Sequence, residues 1–512
     1  MKIRNIRIGI SFFVMGLFIL SFFGGEKISI FFSNKLLFFQ FTPSLLKFIV
    51  VVGGLSSFGF FIIFLLTIVF GRVYCSCLCP LGILQDVMIF FSRKTIKRRK
   101  NSYQKPYNSI RYSILILTVI SSILGTLIFI NFLDPYSFFG RIATNMFKPL
   151  FVFINNVIVS IFEKFDIYAL SMIELHQITP LILIVTLLLF FILLVMSIFR
   201  GRMYCNTICP VGTLLGIVSR FSVFKIYIDK EKCTSCGQCE NECRAGCIDA
   251  RNQTVDPTRC VACFDCLEIC IKSAVEYNQA IKKKDKKIDL SRRNLLKDSV
   301  FTAGSMILLN FPLRLFSKKI VPEDKSVPIT PPGSLSVDHF TATCTACHLC
   351  VSACPSKVIK PTFLKYGIAG IMQPSMDFKQ GYCEYECNIC GKVCPTGAIL
   401  SISLEKKKLI QIGKVHFIED YCVVYKNDED CGACAEICPT HAVFTVERDN
   451  VFYIETDVDF CIGCGACEYV CPEVPKAIFV DGNRVHEKAK KPFSDEEPVQ
   501  IEAHQDYEDF PF

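Results

Sequence analysis

Cysteines with the spacing C-x2-C-x2-C-x3-C are the residues of this chain whose chemistry is most readily identified. The sequence has 30 cysteines among 512 residues, and 24 of them fall into six such motifs, two of which are stretched. In chains that carry paired motifs, three cysteines of one motif bind a [4Fe-4S] cluster and the fourth binds the neighbouring cluster. A disulfide framework does not repeat this spacing, so the sequence predicts six [4Fe-4S] clusters.

The first pair of motifs lies between positions 233 and 270. Because the fourth cysteine of each motif binds the cluster of the other motif, Cys270 completes the first cluster and Cys243 completes the second. Cys247 is outside this set, and we interpret it as a small packing residue. The expected cofactor ligands of this pair are Cys233, Cys236, Cys239, Cys243, Cys260, Cys263, Cys266 and Cys270.

Four more motifs follow Val327–Gly333, a Pro-rich stretch interpreted as a linker. Two motifs are regular, and two have an insertion after the first cysteine, which a loop can absorb. We expect regular motifs to pair with each other and stretched motifs with each other; sequential pairing is the alternative. The expected ligands are Cys344, Cys347, Cys350, Cys354, Cys383, Cys387, Cys390, Cys394, Cys422, Cys431, Cys434, Cys438, Cys461, Cys464, Cys467 and Cys471.

The segment Cys344–His348 also has the C-x-x-C-H spacing at which c-type haem is attached. A haem would remove two ligands from an otherwise complete cluster motif. We therefore expect no haem.

A second cysteine pattern, C-x-x-x-C-P, occurs twice in the first half of the chain. Residues 71–82 and 201–212 form an internal repeat, and each copy follows an apolar helix. Two helix pairs of the same orientation predict a pseudo-twofold axis along the membrane normal. That axis would bring together Cys75, Cys79, Cys205 and Cys209, a complete set of thiolates for a further iron–sulfur or other metal centre. Reduced structural cysteines are the alternative, and Cys77 has no counterpart in the second copy.

The elements that carry these motifs are mostly apolar. Four runs are long enough to span a bilayer: Ile8–Gly24, Phe48–Phe70, Tyr112–Leu133 and Leu181–Phe199. Lysine and arginine are concentrated in the loops beside them, which predicts a cytoplasmic N-terminus, a multi-pass protein of the bacterial inner membrane, and a cytoplasmic first ferredoxin pair. Ile28–Phe41 and Pro149–Phe162 are interpreted as interfacial or re-entrant segments.

The charge changes sign along the chain. Residues from Lys318 onward carry 19 basic and 29 acidic side chains, a net charge of −10, whereas the first 317 residues carry +19. Between them, Arg292 and Arg293 precede the apolar segment Val300–Phe316, a pattern typical of a twin-arginine export signal with a short fifth anchor helix. It predicts that the second half is periplasmic. A basic linker before an ordinary helix is the alternative. Because the basic excess lies beside apolar helices, no nucleic-acid partner is expected.

Two known families share these motifs. Residues 1–280 resemble the NapH-type membrane quinol dehydrogenase component of periplasmic nitrate reductase systems, in the helices, the C-x-x-x-C-P repeat and the two-cluster ferredoxin end. Residues 288–512 resemble its NapG-type partner, an exported four-cluster ferredoxin. The resemblance implies a fusion of the two, although the export signal is then internal.

The resemblance implies electron transfer from quinol, or from a cytoplasmic donor, to a periplasmic reductase or c-type cytochrome. An accessory protein for cofactor assembly or metal reduction is the rival function. No Rossmann pattern, P-loop or hydrolase triad occurs, so further chemistry is limited to the quinol. Quinol oxidation releases protons, and the candidate proton acceptors at the outer helix ends are Asp134, Glu174 and His176, whose alternative role is that of solvated loop residues.

These features predict a multidomain fold: an α-helical membrane bundle of four helices plus a short anchor, with α+β ferredoxin modules of the bacterial type. The expected units are a membrane domain, a two-cluster domain, a signal with anchor and linker, a four-cluster domain and an acidic tail, at residues 1–225, 226–280, 281–333, 334–485 and 486–512. The expected partners of the protein are membrane lipid and the quinone pool.

Overall fold

The computed structural model describes residues 2–24, 26–50, 58–95, 102–168, 170–174, 178–279, 327–427, 429–448 and 451–491. The predicted export signal at Arg292 and Arg293, the anchor Val300–Phe316, His176 and the acidic tail beyond position 491 lie outside these residues.

The first half of the described chain is helical. Three runs are long and apolar enough to cross a membrane: Ile3–Phe23, Pro135–Glu163 and Pro180–Arg200. The α-helices are α1 (Lys2–Phe23), α2 (Glu26–Phe38), α3 (Phe41–Val50), α4 (Gly59–Phe70), α5 (Val73–Cys77), α6 (Pro80–Thr95), α7 (Asn108–Ile123), α8 (Ile128–Leu133), α9 (Pro135–Ile142), α10 (Lys148–Glu163), α11 (Pro180–Arg200) and α12 (Pro210–Ser219). Two π-helical turns, Ala143–Phe147 and Tyr204–Ile208, adjoin α10 and α12.

The predicted spans are right at two places and wrong at two. Ile8–Gly24 and Leu181–Phe199 correspond to α1 and α11. Phe48–Phe70 is not one helix, because α3 and α4 pack side by side and the Phe48 ring lies 5.4 Å from that of Phe60. Tyr112–Leu133 is divided into α7 and α8 at Gly125, whose φ of +77° ends the helix.

The segment Pro149–Phe162, expected to be interfacial, belongs instead to the continuous helical run Pro135–Glu163. This run contains Arg141 and Asn145, which lower its apparent hydropathy. Both side chains are buried, and Arg141 donates to the carbonyl oxygens of Asn131 and Phe132. Because these polar groups face protein and not lipid, the run remains compatible with a membrane.

The first cysteine-rich module follows α12. It is built from β1 (Phe224–Ile228), α13 (Gln238–Glu242), β2 (Ile248–Asp249), β3 (Thr254–Val255), α14 (Asp265–Ile269) and β4 (Val275–Gln279). Strand β1 pairs antiparallel with β4, with Ile226 opposite Tyr277, and β2 pairs with β3. The short helices α13 and α14 each begin beside the third cysteine of a motif, so the module consists of two similar halves. The pairing of β1 with β4 joins the two ends of the module.

The second module contains α15 (Val337–Thr343), α16 (Leu349–Ala353), β5 (Ile359–Pro361), β6 (Pro374–Met376), α17 (Ile389–Val393), α18 (Leu404–Lys407), β7 (Ile410–Phe417), the 3-10 turn Glu419–Tyr421, α19 (Val423–Asn427), α20 (Ala433–Glu436), β8 (Val443–Arg448), β9 (Val451–Thr456), α21 (Ala466–Val470) and β10 (Ile478–Lys488). The antiparallel pairs are β5–β6, β8–β9 and β7–β10, the last with a register shift between Gly482 and Glu487.

The second module extends beyond the predicted boundaries at both ends. Ile329 and Thr330 are buried, and the Ile329 carbonyl accepts from the Met376 amide, so Val327–Gly333 is part of the module and not a free linker. At the other end, Thr330 shares a hydrogen bond with His486, and β10 continues to Lys488.

The two modules contact opposite ends of α1. Arg4 pairs with Asp265 of the first module at 3.4 Å, whereas the Phe22 carbonyl accepts a hydrogen bond from Ser352 of the second. At 1.5 Å per residue, these contacts are about 27 Å apart along the helix. The helical half therefore lies between the modules.

Candidate iron–sulfur sites

Left-handed residues flank the second cysteine in all four regular motifs. The residue before it and the residue after it both have positive φ. This conformation curls the loop around a common centre, so three thiols of one motif face the same space. The pairs are Ser235 and Gly237, Ala262 and Phe264, Ala346 and His348, and Gly463 and Gly465.

Backbone amides of these loops point at the sulfur atoms. The Gly463 amide lies 3.3 Å from Cys461 Sγ, and the Ala274 amide lies 3.2 Å from Cys270 Sγ. Amide donors to cysteine sulfur stabilise thiolate ligands and tune the potential of a bound cluster. The donor set and the loop geometry therefore fit [4Fe-4S] clusters. Among the described residues no group of His, Cys, Asp or Glu is placed to hold a single metal ion, and a cubane is larger than one ion.

Burial makes these thiols poor acids without a metal. It raises the pKa of Cys239 to about 11 and the pKa values of Cys347 and Cys464 to about 12. A metal ligand must be a thiolate, and the positive charge of iron is what would deprotonate a thiol in such an environment. Without iron these three thiols would therefore be protonated, and cluster binding would have to release their protons.

In the first module the structure places the fourth cysteines across the pair. Cys239 has Cys270, Cys233 and Cys236 as electrostatic neighbours, and Cys266 has Cys263, Cys260 and Cys243. The helices of the two motifs, α13 and α14, pack together. This is the arrangement expected from the sequence.

In the second module the expected nested pairing is wrong. Cys394 lies beside Cys344 and Cys350, and Cys354 lies beside Cys383 and Cys390, so neighbouring motifs along the chain are paired. The last two motifs pair in the same way: Cys471 is close to Cys434, and Cys438 is close to Cys467. Accordingly α16 packs on α17 and α20 on α21. A regular motif pairs with a stretched one because the insertions lie in loops outside the packed helices, where they do not affect the pairing.

The C-x-x-x-C-P repeat has reciprocal contacts. Arg72 donates to the Cys205 carbonyl at 3.1 Å, and Arg202 donates to the Cys75 carbonyl at 2.5 Å. A Cβ atom at Gly82 would lie 2.2 Å from the Cys75 carbonyl oxygen, and a Cβ atom at Gly212 would lie 2.2 Å from the Cys205 carbonyl oxygen. Each copy thus holds the other, as the predicted pseudo-twofold axis requires.

The four cysteines of the repeat are buried together. Cys209 has Cys205, Cys79 and Cys75 as electrostatic neighbours. The unmatched Cys77 is also buried and contacts the Ser76 hydroxyl at 3.6 Å. The repeat therefore brings together a thiol set that could hold a further centre, with Cys77 beside it.

A buried carboxylate joins the repeat to the first module. Asp86 pairs with Arg7 of α1, with Arg202 of the repeat at 2.7 Å and with Arg244 of the first module at 3.2 Å. Burial alone would raise the pKa of Asp86, but these three cations hold it below its usual range. Arg244 also contacts Asp265 at 2.6 Å, which extends the network towards α14. Sequence reasoning missed this network, since each member is an ordinary charged residue in its own segment.

At the other end, the helical half touches a cluster loop of the second module. A Cβ atom at Gly140 would lie 2.3 Å from the Cys347 carbonyl oxygen, so α9 passes directly against this loop. Tyr136 of the same helix is buried, with Cys347 and Cys394 among its electrostatic neighbours. The Tyr204 hydroxyl donates to the Leu133 carbonyl at 2.9 Å, which connects the repeat to the start of α9.

The three candidate proton acceptors are not brought together. Asp134 is buried and accepts from the Ser137 amide at 2.8 Å, so it acts as the N-cap of α9. Glu174 is exposed and pairs with Lys357 of the second module. His176 lies outside the described residues.

Cys247, interpreted as a packing residue, is 1% exposed and has its Sγ 3.6 Å from Cys243 Sγ. Its thiol also shares a hydrogen bond with the Cys260 side chain, so Cys247 contacts two expected ligands of one cluster.

Comparison with known proteins agrees with these sites. A family model described as "4Fe-4S binding domain" matches residues 52–99 and 182–229, which contain the C-x-x-x-C-P repeat, and a second model of that description matches residues 226–249. A "4Fe-4S dicluster domain" model matches residues 343–398, which contain the first sequential pair of motifs, and residues 429–474, which contain the second pair except for Cys422. The chain is therefore a protein with several 4Fe-4S domains.

Three curated relatives come from Escherichia coli. Ferredoxin-type protein NapF is 31% identical over 145 residues, which is 28% of this chain and 80% of NapF. Ferredoxin-type protein NapG is 29% identical over 190 residues, covering 35% of this chain and 80% of NapG. The putative electron transport protein YccM is 26% identical over 202 residues, 39% of this chain and about half (48%) of YccM. No solved structure matches the chain.

On these matches, the chain belongs to the ferredoxin-type 4Fe-4S proteins, and it is an iron–sulfur electron-transfer protein.

Proposed function

We propose that this protein carries electrons across the bacterial inner membrane, from quinol or a cytoplasmic donor to a periplasmic reductase or c-type cytochrome. We further propose that it is a fusion of a NapH-type membrane component with a NapG-type ferredoxin. The observation that carries the proposal is the series of cysteine groups that runs from one module, through the helical half, to the other.

The series begins at Cys236, which is exposed on the first module. Where that module meets the repeat, the Ser76 hydroxyl contacts the Ala262 carbonyl at 3.4 Å, one residue from Cys75 and one from Cys263. Beyond the repeat, Gly140 contacts Cys347, and within the second module the Cys383 amide donates to the Cys464 carbonyl at 2.9 Å.

Each [4Fe-4S] cluster would accept and release one electron, and the chain's own residues hold the clusters in sequence. The 24 motif cysteines would hold six clusters. Cys75, Cys79, Cys205 and Cys209 would hold a further iron–sulfur or metal centre, and the matching of a 4Fe-4S domain model to both copies supports this. Without a centre there, the series would be interrupted in the helical half.

The membrane orientation rests on charge and on the separation of the modules. The basic loops lie beside the first module: Arg4, Arg93 and Arg244 all take part in ion pairs with or within it. The positive-inside rule assigns that side to the cytoplasm. The second module contacts the opposite end of α1, which would be periplasmic. Arg292 and Arg293 would then direct its export in the folded state, before its sixteen thiols meet an oxidising compartment.

Metal analysis tests the cluster content. Anaerobically purified protein should contain about 24 iron atoms in six cubanes, with a few more if the repeat holds a centre. About eight iron atoms would contradict the four-cluster assignment of the second module.

Replacement of Cys79 by Ser and of Cys209 by Ser tests the repeat. Since the two copies hold each other reciprocally, both changes should remove the same iron and slow transfer between the modules equally. A silent change at one position with loss of transfer at the other would show that the copies have separate roles.

A further inference from the structure

A buried lysine, Lys407, lies beside one cluster site of the second module. It is the last residue of α18 and is 2% exposed. Its ammonium group donates to the carbonyl oxygens of Glu384 and Tyr385, the latter at 3.2 Å. Both carbonyl groups belong to the loop between Cys383 and Cys387, two expected ligands of one cluster. The side chain of Lys407 is therefore anchored to the loop that would hold this cluster.

The positive charge of Lys407 has no carboxylate partner among the residues that the structure describes. Its neighbour Lys408, by contrast, pairs with Glu386 at 2.6 Å. A buried charge without a counter-ion is costly, and hydrogen bonds to two carbonyl groups offset only part of this cost. A [4Fe-4S] cluster with four thiolate ligands carries a net negative charge. A cluster bound in this loop would therefore supply the missing counter-charge.

Backbone amides serve the first cysteine of the other five motifs. In each of them the amide two residues further along donates to the sulfur, with 3.4 Å between the Ser235 amide and Cys233 Sγ. The five amides are those of Ser235, Ala262, Ala346, Val424 and Gly463. These donors are dipoles without a net charge. In the motif that begins at Cys383, the ammonium group of Lys407 donates to the first sulfur.

A full charge at a ligand changes the energy of an electron on the cluster. Reduction makes the cluster more negative, so a nearby cation stabilises the reduced state and raises the midpoint potential. Cys387 also has Lys407 among its electrostatic neighbours. A second cation, Lys148 of the helical half, is a neighbour of Cys354, the fourth expected ligand of the same cluster. Both lysines should therefore favour an electron at this site.

We propose that Lys407 sets the midpoint potential of the cluster on Cys354, Cys383, Cys387 and Cys390, and makes this cluster the first centre of the second module to be reduced. This inference deepens the proposed function and rests on it for the direction of transfer. The cluster lies within the series, since the Cys383 amide donates to the Cys464 carbonyl of the next site at 2.9 Å.

The transfer is an exchange of one electron on each side of this cluster. The cluster on Cys344, Cys347, Cys350 and Cys394 is oxidised as this one is reduced, and the electron later passes to the cluster on Cys438, Cys461, Cys464 and Cys467. No bond forms or breaks and no proton moves. Lys407 already carries its proton, and its three N–H donors are directed at two carbonyl groups and one sulfur.

An EPR-monitored redox titration of the full chain, purified anaerobically in detergent with its clusters intact, tests this role. The component of the spectrum that Cys390→Ser removes identifies the cluster beside Lys407. The components that Cys347→Ser and Cys467→Ser remove identify its two neighbours. As the applied potential is lowered, the natural chain should show reduction of the first component before either of the other two.

Lys407→Met and Lys407→Gln should each lower the ratio of reduced to oxidised cluster at a fixed potential at least tenfold, which corresponds to about 59 mV for a one-electron couple. Glutamine keeps two N–H donors for the loop carbonyls, so this variant separates the charge from the anchoring. Lys407→Arg should keep the natural potential. Lys406→Met, which changes an exposed lysine of the same helix, is the matched control and should leave the potential unchanged.

An unchanged potential in Lys407→Gln, with the cluster signal intact, would overturn the inference, and so would an equal shift in Lys406→Met. If both neutral variants lose the cluster, the natural chain decides, because reduction of this cluster after its two neighbours would also overturn the inference. A chain that passes electrons between its modules but shows no shift refutes the role of Lys407 alone. A chain that shows the shift but passes no electrons between its modules refutes the proposed function and not this role.

Discussion

The two ferredoxin modules are attached to the helical half by different kinds of contact. The first is held by charge: Asp86 binds arginines from α1, the repeat and the module, and Arg93 pairs with Glu242. The second is held by hydrogen bonds to neutral groups, from Thr144 to the His348 carbonyl, from Ser352 to the Phe22 carbonyl and from the Lys148 ammonium group to Ser352. Its ion pair between Lys357 and Glu174 is exposed and contributes little.

This difference in contacts agrees with the route by which each module would reach its position: folding beside the inserted helices for the first, and export in the folded state for the second. Buried charges are stable only when every partner is present, which suits a module that folds on the side where the helices are inserted. Separating these hydrogen bonds breaks no buried ion pair, and the one charged donor, Lys148, belongs to the helical half, so the second module can exist apart and dock later. That is what a module exported separately in the folded state requires.

Changing Arg292 and Arg293 to Lys should have the largest effect on this comparison. The second module should remain in the cytoplasm, whereas the first should keep its clusters and its contacts, since it does not depend on export. Protease added to the periplasmic side should digest residues 327–491 in the natural chain and spare them in the variant. Digestion in both proteins would contradict the export assignment, and protection in both would place the whole chain on the cytoplasmic side.

Asp86→Asn should release the first module. Removing the carboxylate leaves the buried Arg7 and Arg202 without a counter-charge, whereas Arg244 keeps Asp265, and the loss costs about 3–5 kcal/mol. Limited proteolysis should liberate residues 226–279 from the variant, with loss of about eight iron atoms and no change in the second module. Glu231→Gln, which changes an exposed carboxylate of the same module, is the control and should behave as the natural chain does. A stable Asp86→Asn variant would show that charge does not hold this contact.

Gly140→Ala should loosen the second module without affecting the first. The new methyl group would lie 2.3 Å from the Cys347 carbonyl oxygen and 3.1 Å from the Phe22 ring, an overpacking that costs about 1–3 kcal/mol. The second module should separate from the helical half at a lower temperature. Its sensitivity to protease during heating measures this separation. Gly16→Ala in α1, where no atom lies within 4 Å of the new methyl group, is the matched control and should have no such effect.

Cys247→Ala should have the smallest effect, confined to one cluster of the first module. Its thiol contacts Cys243 and Cys260, and a hydrogen bond to cluster sulfur stabilises the more negative reduced state. Loss of a bond of about 0.5–1.5 kcal/mol should lower one midpoint potential by about 20–60 mV, measured by EPR-monitored titration. Cys77→Ala, a buried thiol outside the modules, should leave that potential unchanged. Loss of the cluster in Cys247→Ala would show that the residue is a ligand.

Much of the site follows from cysteine spacing, because the ligands of one cluster are local and the loops that hold them are short. The reciprocal contacts of Arg72 and Arg202 likewise agree with the symmetry that the repeat predicts. The pairing of motifs in the second module does not follow from spacing, since it depends on which helices pack and not on loop length. The sequence interpretation took Pro149–Phe162 as a separate segment, whereas the structure continues this helix back to Pro135 through Arg141 and Asn145, both of which are buried. The Asp86 network joins residues from four segments, so no local pattern reports it.

Counting electrons tests the central claim, that the modules are connected through the helical half. The protein is placed in liposomes with the first module outside, and a membrane-impermeant reductant is added outside. A continuous series of centres should take up about six electrons per chain, with one more if the repeat holds a [4Fe-4S] cluster, and the Cys79→Ser variant should take up only about two. If the natural chain itself takes up only about two electrons, the second module receives none through the helices, and the account is wrong.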